Sequence, residues 1–141
     1  MKTMSSEEQT EFLISQPRTA KIATVRPDGR PHVAPVWFDL DGEDIIFTTG
    51  QATVKAANLH HDPHVSICVD DEDFPFAFIQ IDGVASISTH PDELLYWATR
   101  IASRYVGDSL GESYGKRNGV EGELLVRVKP GKVIAKKGIA D

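Results

Sequence analysis

Gly50-Gln51-Ala52-Thr53-Val54-Lys55 is the segment of this chain whose residue types and spacing point most directly to chemistry. A glycine that breaks a strand is followed three residues later by a threonine suited to capping a helix, and then by a lysine in that helix's first turn. The first turn of a helix carries unpaired N–H groups and a partial positive charge. Lys55 adds a full charge, so the segment favours an anion such as a phosphate. It is not a nucleoside triphosphate loop, because the second glycine and the Lys-Ser/Thr pair of that motif are missing after Gly50. The plainer alternative is a surface helix with Thr53 as its cap and Lys55 in water.

Other reactive side chains form no recognisable set. His60, His61 and His64 are close in sequence, but Pro63 interrupts the helix that would align them and no carboxylate spacing completes a metal-ligand set, so no metal site is expected. No nucleophile, base and orienting acid can be picked out as a triad, and the catalytic residues stay unknown at this level. Cys68 is the single cysteine and sits in an apolar run, where it reads as a buried core thiol. It excludes a disulfide framework and a CxxC motif.

The elements that must position Lys55 are mostly strands. Ala20 to Val25 alternates with period two, and Pro27-Asp28-Gly29-Arg30 supplies a turn into a second strand, His32 to Leu40. Asp41-Gly42 is a second hairpin signal, leading to Ile45 to Thr49. The helix from Thr53 through Leu59 ends before Pro63, and Val65 to Val69 reads as a buried strand. After the acidic turn Asp70 to Asp73 come strands at Ala77 to Ile81 and Val84 to Ser88, with Gly83 as a bulge or bend. Pro91 opens a helix whose Leu94, Leu95, Ala98, Ile101, Ala102 and Tyr105 follow a 3.6-residue period. Gly107 to Gly119 reads as a polar, glycine-rich loop with at most one helical turn. Glu123 to Val128 and Lys132 to Lys136 are the last strands, separated by Pro130-Gly131. Two prolines, Pro31 and Pro35, make the second strand an edge, a bulged strand, or one open to a ligand. Short, hairpin-connected strands with few helices predict a mainly β protein, a small closed or split β-barrel with helices over its openings.

At 141 residues the chain is expected to be one domain spanning 1–141. Its 40% hydrophobic and 26% charged content is that of a soluble globular protein, and no apolar run approaches a membrane span. The acidic N-terminal segment lacks the apolar centre of a signal peptide, so a cytoplasmic location is expected. A net charge of -6 disfavours general nucleic-acid binding.

Several weak motifs in a fixed order carry a family resemblance. Thr24 to His32, Val36-Trp37-Phe38, Thr48-Thr49-Gly50, and Thr53 to Leu59 followed by Asp62-Pro63 together resemble the pyridoxamine 5′-phosphate oxidase-like split β-barrel superfamily. The branch they are most similar to is the actinobacterial flavin/deazaflavin oxidoreductases that use coenzyme F420. The resemblance implies that the cofactor phosphate lies against Thr48, Thr49, Thr53, Val54, Lys55 and Asn58. It also places the tricyclic ring beside the backbone of Ala34, Pro35, Val36 and Trp37, although Trp37 would equally serve as a core side chain. Lys21, Arg26 and Arg30 would meet the coenzyme's oligoglutamate tail or simply form a solvated basic edge.

The activity implied is hydride transfer from reduced F420 to an electron-poor unsaturated small molecule. An FMN-binding oxidoreductase of the same fold and a non-catalytic F420 or flavin carrier are the alternatives. The chain ends at Gly138-Ile139-Ala140-Asp141 without the arginine-containing segment that pyridoxamine 5′-phosphate oxidases use on their substrate, which argues against that activity. A homodimer with two cofactor sites at its interface is also implied. Phe74-Pro75-Phe76 would be an apolar cover over the partner's site, or its rings would simply be partly buried in the core.

Overall fold

The computed structural model describes residues 1–141, opening with β1 (Lys2–Thr3) and α1 (Ser6–Ile14). α1 was not anticipated from the sequence, although its signal is a capping box. The Ser5 hydroxyl accepts the Glu8 N–H at 3.2 Å while the Glu8 carboxylate accepts the Ser5 N–H at 3.0 Å. Leu13 then carries the helix onto the core.

β2 (Ala20–Val25) and β3 (Pro31–Val36) form the hairpin that Pro27 to Arg30 predicts, with Thr24 opposite His32. The predicted strand His32 to Leu40 does not run through. It breaks at Trp37-Phe38, and β4 (Asp39–Asp41) pairs with β5 (Asp44–Gly50) instead. α2 (Val54–His61) and β6 (His64–Asp71) follow. β7 (Ala77–Ser88), α3 (Pro91–Val106), α4 (Asp108–Asn118) and β8 (Glu123–Lys137) complete the chain.

The strand order is β3-β2-β6-β7-β8-β5-β4, with β1 added beside β8. β3 and β4 therefore lie at opposite ends of this order although only two residues separate them in the chain. The sheet must curl to bring its ends together, yet no ladder joins them: the barrel is split. Where the ladder stops, α3 supplies the missing partners. The Tyr105 hydroxyl accepts the Phe38 N–H at 3.1 Å, and the Arg104 guanidinium donates to the Phe38 carbonyl.

Inside the barrel, Ile22, Phe38, Phe47, Ile67, Val69, Ile79 and Val126 belong to the main core. β5 is covered on both faces, since Ile45 and Phe47 point into that core while Ile46 packs with Leu94, Trp97 and Ile101 of α3. Two predicted strand pairs prove to be single long strands. β7 runs through Gly83 and β8 through Pro130, and the extra residue, Gly131, is absorbed as a bulge opposite the Asp82/Gly83 step.

Further expectations are corrected by the structure. Gly107 to Gly119 is not a loop: most of it is α4, whose Gly111 and Gly115 press against Ser103 and Thr99 of α3. Leu95 is 41% exposed, and Trp97 occupies the buried face in its place. Cys68 is only half-buried, because Val65, Ile67 and Val69 take the inward side of β6. No helix is long and apolar enough to cross a membrane.

Candidate functional site

The turn after β5 is built by two threonines. The Thr53 hydroxyl caps α2 by accepting the Ala56 N–H at 3.2 Å, donates to the Gly50 carbonyl at 2.8 Å, and lies 3.0 Å from the Thr49 hydroxyl. The N–H groups of Val54 and Lys55 precede the first intrahelical bond and remain free. Lys55 is half-buried beside them.

A cleft of about 290 Å³ opens in front of this turn. One wall is Pro35, Val36 and Trp37 at the end of β3. The floor is Thr48, Thr49 and Gly50, with Thr53 and Lys55 at its head. Ala98, Ile101 and Ala102 of α3 and Asn118 of α4 form the opposite wall. Trp37 is held there by stacking on Tyr105, with ring centroids 4.8 Å apart and planes 4° from parallel, and by a tilted contact with Tyr114 at 6.3 Å.

Glu123 completes the cleft, and sequence reasoning missed it. It opens β8 directly opposite Gly50, a register that only the folded sheet reveals. Burial pushes the Glu123 carboxyl above its ordinary value, an effect that the Lys55 charge opposes. Burial likewise pulls the Lys55 ammonium below its ordinary value, which the Glu123 charge opposes. An ammonium, the free amides at the start of α2 and the Thr48 hydroxyl, which has no partner of its own, thus lie about one half-enclosed volume, while the Thr49 and Thr53 hydroxyls are spent on building the turn. Such a set suits an oxyanion chemically.

The sequence-predicted site residues divide accordingly. Pro35, Val36, Trp37, Thr48, Thr49, Thr53 and Lys55 line the cleft. Asn58 does not: its buried side-chain amide donates to the Thr24 hydroxyl at 3.0 Å, tying α2 to β2. Val54 turns its side chain to solvent and offers only its N–H. Ala34 lies half-buried on β3 beyond the cleft wall. Of the basic residues near the hairpin, Lys21 is paired with Asp70 at 2.8 Å and Arg30 with Asp28 at 2.8 Å, while Arg26 donates to the Pro31 carbonyl at 2.7 Å. The histidines assemble no metal cluster, and His64 is bonded instead to Asp62 at 2.7 Å.

A roomier hollow of about 490 Å³ lies over β2, β6 and β7. There Ser66 is bonded to Asp82 at 2.7 Å and His64 to Asp62, and Lys132 is the one lining cation.

The sequence matches the pyridoxamine 5′-phosphate oxidase family over residues 6–137, nearly the whole chain. The chain belongs to that family. Among solved structures, the conserved hypothetical protein Rv2991 from Mycobacterium tuberculosis is 28% identical with a TM-score of 0.84, covering 96% of this chain and 86% of the other. An F420 reductase is also 28% identical with a TM-score of 0.68, covering 87% and 94%. The heme storage protein HutZ from Vibrio cholerae, at 21% identity and a TM-score of 0.74 over 96% and 98%, shares the family's fold. No curated protein sequence matched the chain.

Proposed function

We propose that the protein is an F420-dependent oxidoreductase that delivers hydride to an electron-poor unsaturated small molecule. The observation that carries this is the half-buried Lys55 set beside the free N–H groups of α2, in a family whose 28%-identical members include an F420 reductase. Lys55, the Val54 and Lys55 amides and the Thr48 hydroxyl would hold the coenzyme's phosphate. Pro35, Val36 and Trp37 would border its ring. When bound, the deazaflavin supplies hydride, because carbon replaces the flavin nitrogen that supports one-electron and oxygen chemistry.

This chain's own residues bind, orient and exclude water. The tight turn and the Trp37–Tyr105 stack fix the two ends of the cleft, and Ala98, Ile101 and Ala102 keep its α3 wall apolar. The cleft is at the small end of the roughly 300–1,000 Å³ usual for ligand sites, enough for a phosphate and its nearest chain atoms. The open edge of β3, where Val33 is 65% exposed, would give the ring room beyond the cleft. A second copy of the chain would cover it. The Phe74 and Phe76 pair, edge to face at 5.9 Å with Phe74 72% exposed, is an apolar cap suited to that contact.

Fluorescence titration with F420 and with FMN tests the assignment. Lys55→Ala removes a charge-assisted bond to a partly desolvated anion, so F420 affinity should fall by about 1.5 to 3 kcal/mol, or roughly tenfold to a hundredfold. Lys136→Ala, outside the cleft, controls for net charge. An unchanged Kd in Lys55→Ala would place the phosphate elsewhere. Tighter binding of FMN than of F420 would favour the flavin alternative. Binding without turnover of unsaturated ketones or lactones would leave a carrier.

A further inference from the structure

We propose that Glu123 makes the cleft selective for a singly charged phosphodiester over a doubly charged phosphomonoester. The inference rests on the cofactor reading above and deepens it. Lys55 and Glu123 are the ionisable side chains of the cleft; the rest of its lining is apolar, hydroxyl or amide. Glu123 faces Gly50 across the β5–β8 ladder, and its Oε1 lies 3.8 Å from where a Cβ on Gly50 would stand. The carboxylate therefore overhangs the turn that leads into α2. Lys55 and Glu123 feel each other's charge but share no hydrogen bond, so neither consumes the other.

A cleft with one ammonium and one carboxylate is formally neutral. The ammonium and the α2 amides attract the first negative charge of a phosphate seated there, while Glu123 repels every charge which that phosphate carries. Its penalty multiplies with each one. A phosphodiester carries one charge across the working pH range, whereas a phosphomonoester, with a second pKa near 6, carries close to two at neutral pH and above. At the phosphate itself F420 presents a diester and FMN a monoester, so the same carboxylate handicaps the FMN phosphate more.

The experiment measures Kd for F420, FMN and phosphate-free riboflavin at about pH 8 in the parent and in Glu123→Gln, with Glu123→Ala as a second variant and far-UV circular dichroism as the folding check. Taking roughly fivefold per charge on the phosphate, between a screened surface pair and a partly buried one, Glu123→Gln should tighten F420 by about fivefold and FMN by about twenty-five-fold. Riboflavin should not change. Equal changes for F420 and FMN, or none in either folded variant, would overturn the selectivity while F420 binding that depends on Lys55 still upheld the cofactor reading. If the parent binds neither F420 nor FMN more tightly than riboflavin, both proposals fall.

Discussion

Removing one oxygen from Tyr105 tests whether α3 holds the split barrel together at its open seam. The Tyr105 hydroxyl accepts the Phe38 N–H at 3.1 Å and donates to the Arg18 carbonyl at 2.7 Å, bridging the break after β3 to the segment that enters β2. Tyr105→Phe keeps the ring that stacks on Trp37 and deletes both bonds. Two neutral hydrogen bonds contribute about 1 kcal/mol each, and an orphaned N–H at fully buried Phe38 adds to that, so the loss should be about 2 to 3 kcal/mol. At about 2.1 cal/mol/K per residue, 141 residues give an unfolding entropy of about 0.3 kcal/mol/K, and Tm should fall by about 7 to 10 °C. Burial also raises the Tyr105 phenol above its ordinary value, ahead of the opposing bond from the Phe38 amide. The folded state thus holds that proton more tightly than the unfolded chain does. This contribution is complete below about pH 10 and is lost as pH rises through the raised value. Thermal unfolding by circular dichroism at pH 7 and in steps above pH 10 should show the gap between parent and variant narrowing in alkali. A Tm change below about 2 °C at pH 7 would mean that the seam is held by other contacts.

Gly115→Ala should cost about 1 to 3 kcal/mol, read as a lowered Tm, because its Cβ would stand 2.1 Å from the Thr99 hydroxyl and 2.7 Å from the Thr99 Cα, and rotating the side chain relieves only the first clash. An unchanged Tm would show that α4 is not seated on α3 as described. Sedimentation at micromolar concentration should give a two-chain particle, and a single-chain mass would overturn the proposed covering of the β3 edge by a second copy.

Local chemistry made the hairpins and the start of α2 legible. Alternation fixes which face of Ala20 to Val25 is buried, and Pro27 to Arg30, Asp41-Gly42 and Thr53 carry their turn and cap signals in their own side chains. The break at Trp37 was not legible, because the backbone on either side is equally extended and only the identity of the partner strand separates β3 from β4. α4 was misread because each glycine disfavours a helix by about 1 kcal/mol. Yet Gly111, Gly115 and Gly119 recur every four residues, and they meet Ser103, Thr99 and Leu95, which recur every four residues on α3. That spacing was a usable packing signal. For the cleft, Thr49, Thr53 and Lys55 could be read because one turn brings them together, whereas Glu123 arrives by register from a strand some seventy residues later in the sequence.

The position of the cleft follows from the same break that splits the barrel. Had β3 continued into β4, Trp37 would lie in a paired strand and Phe38 would satisfy its backbone across the ladder. Instead the chain leaves one edge of the sheet and joins the other, and Phe38 is tied by Tyr105 and Arg104 to α3. α3 is thereby held against β5, and its Ala98, Ile101 and Ala102 become a wall facing Thr48 and Thr49. Trp37, freed from the ladder, turns onto Tyr105 and closes the end of that wall. Lys55 reaches the same space because Gly50 ends β5 where α2 must begin. The open seam and the cleft are thus one construction, so a change that loosens Phe38 should weaken the proposed ligand binding as well as the fold.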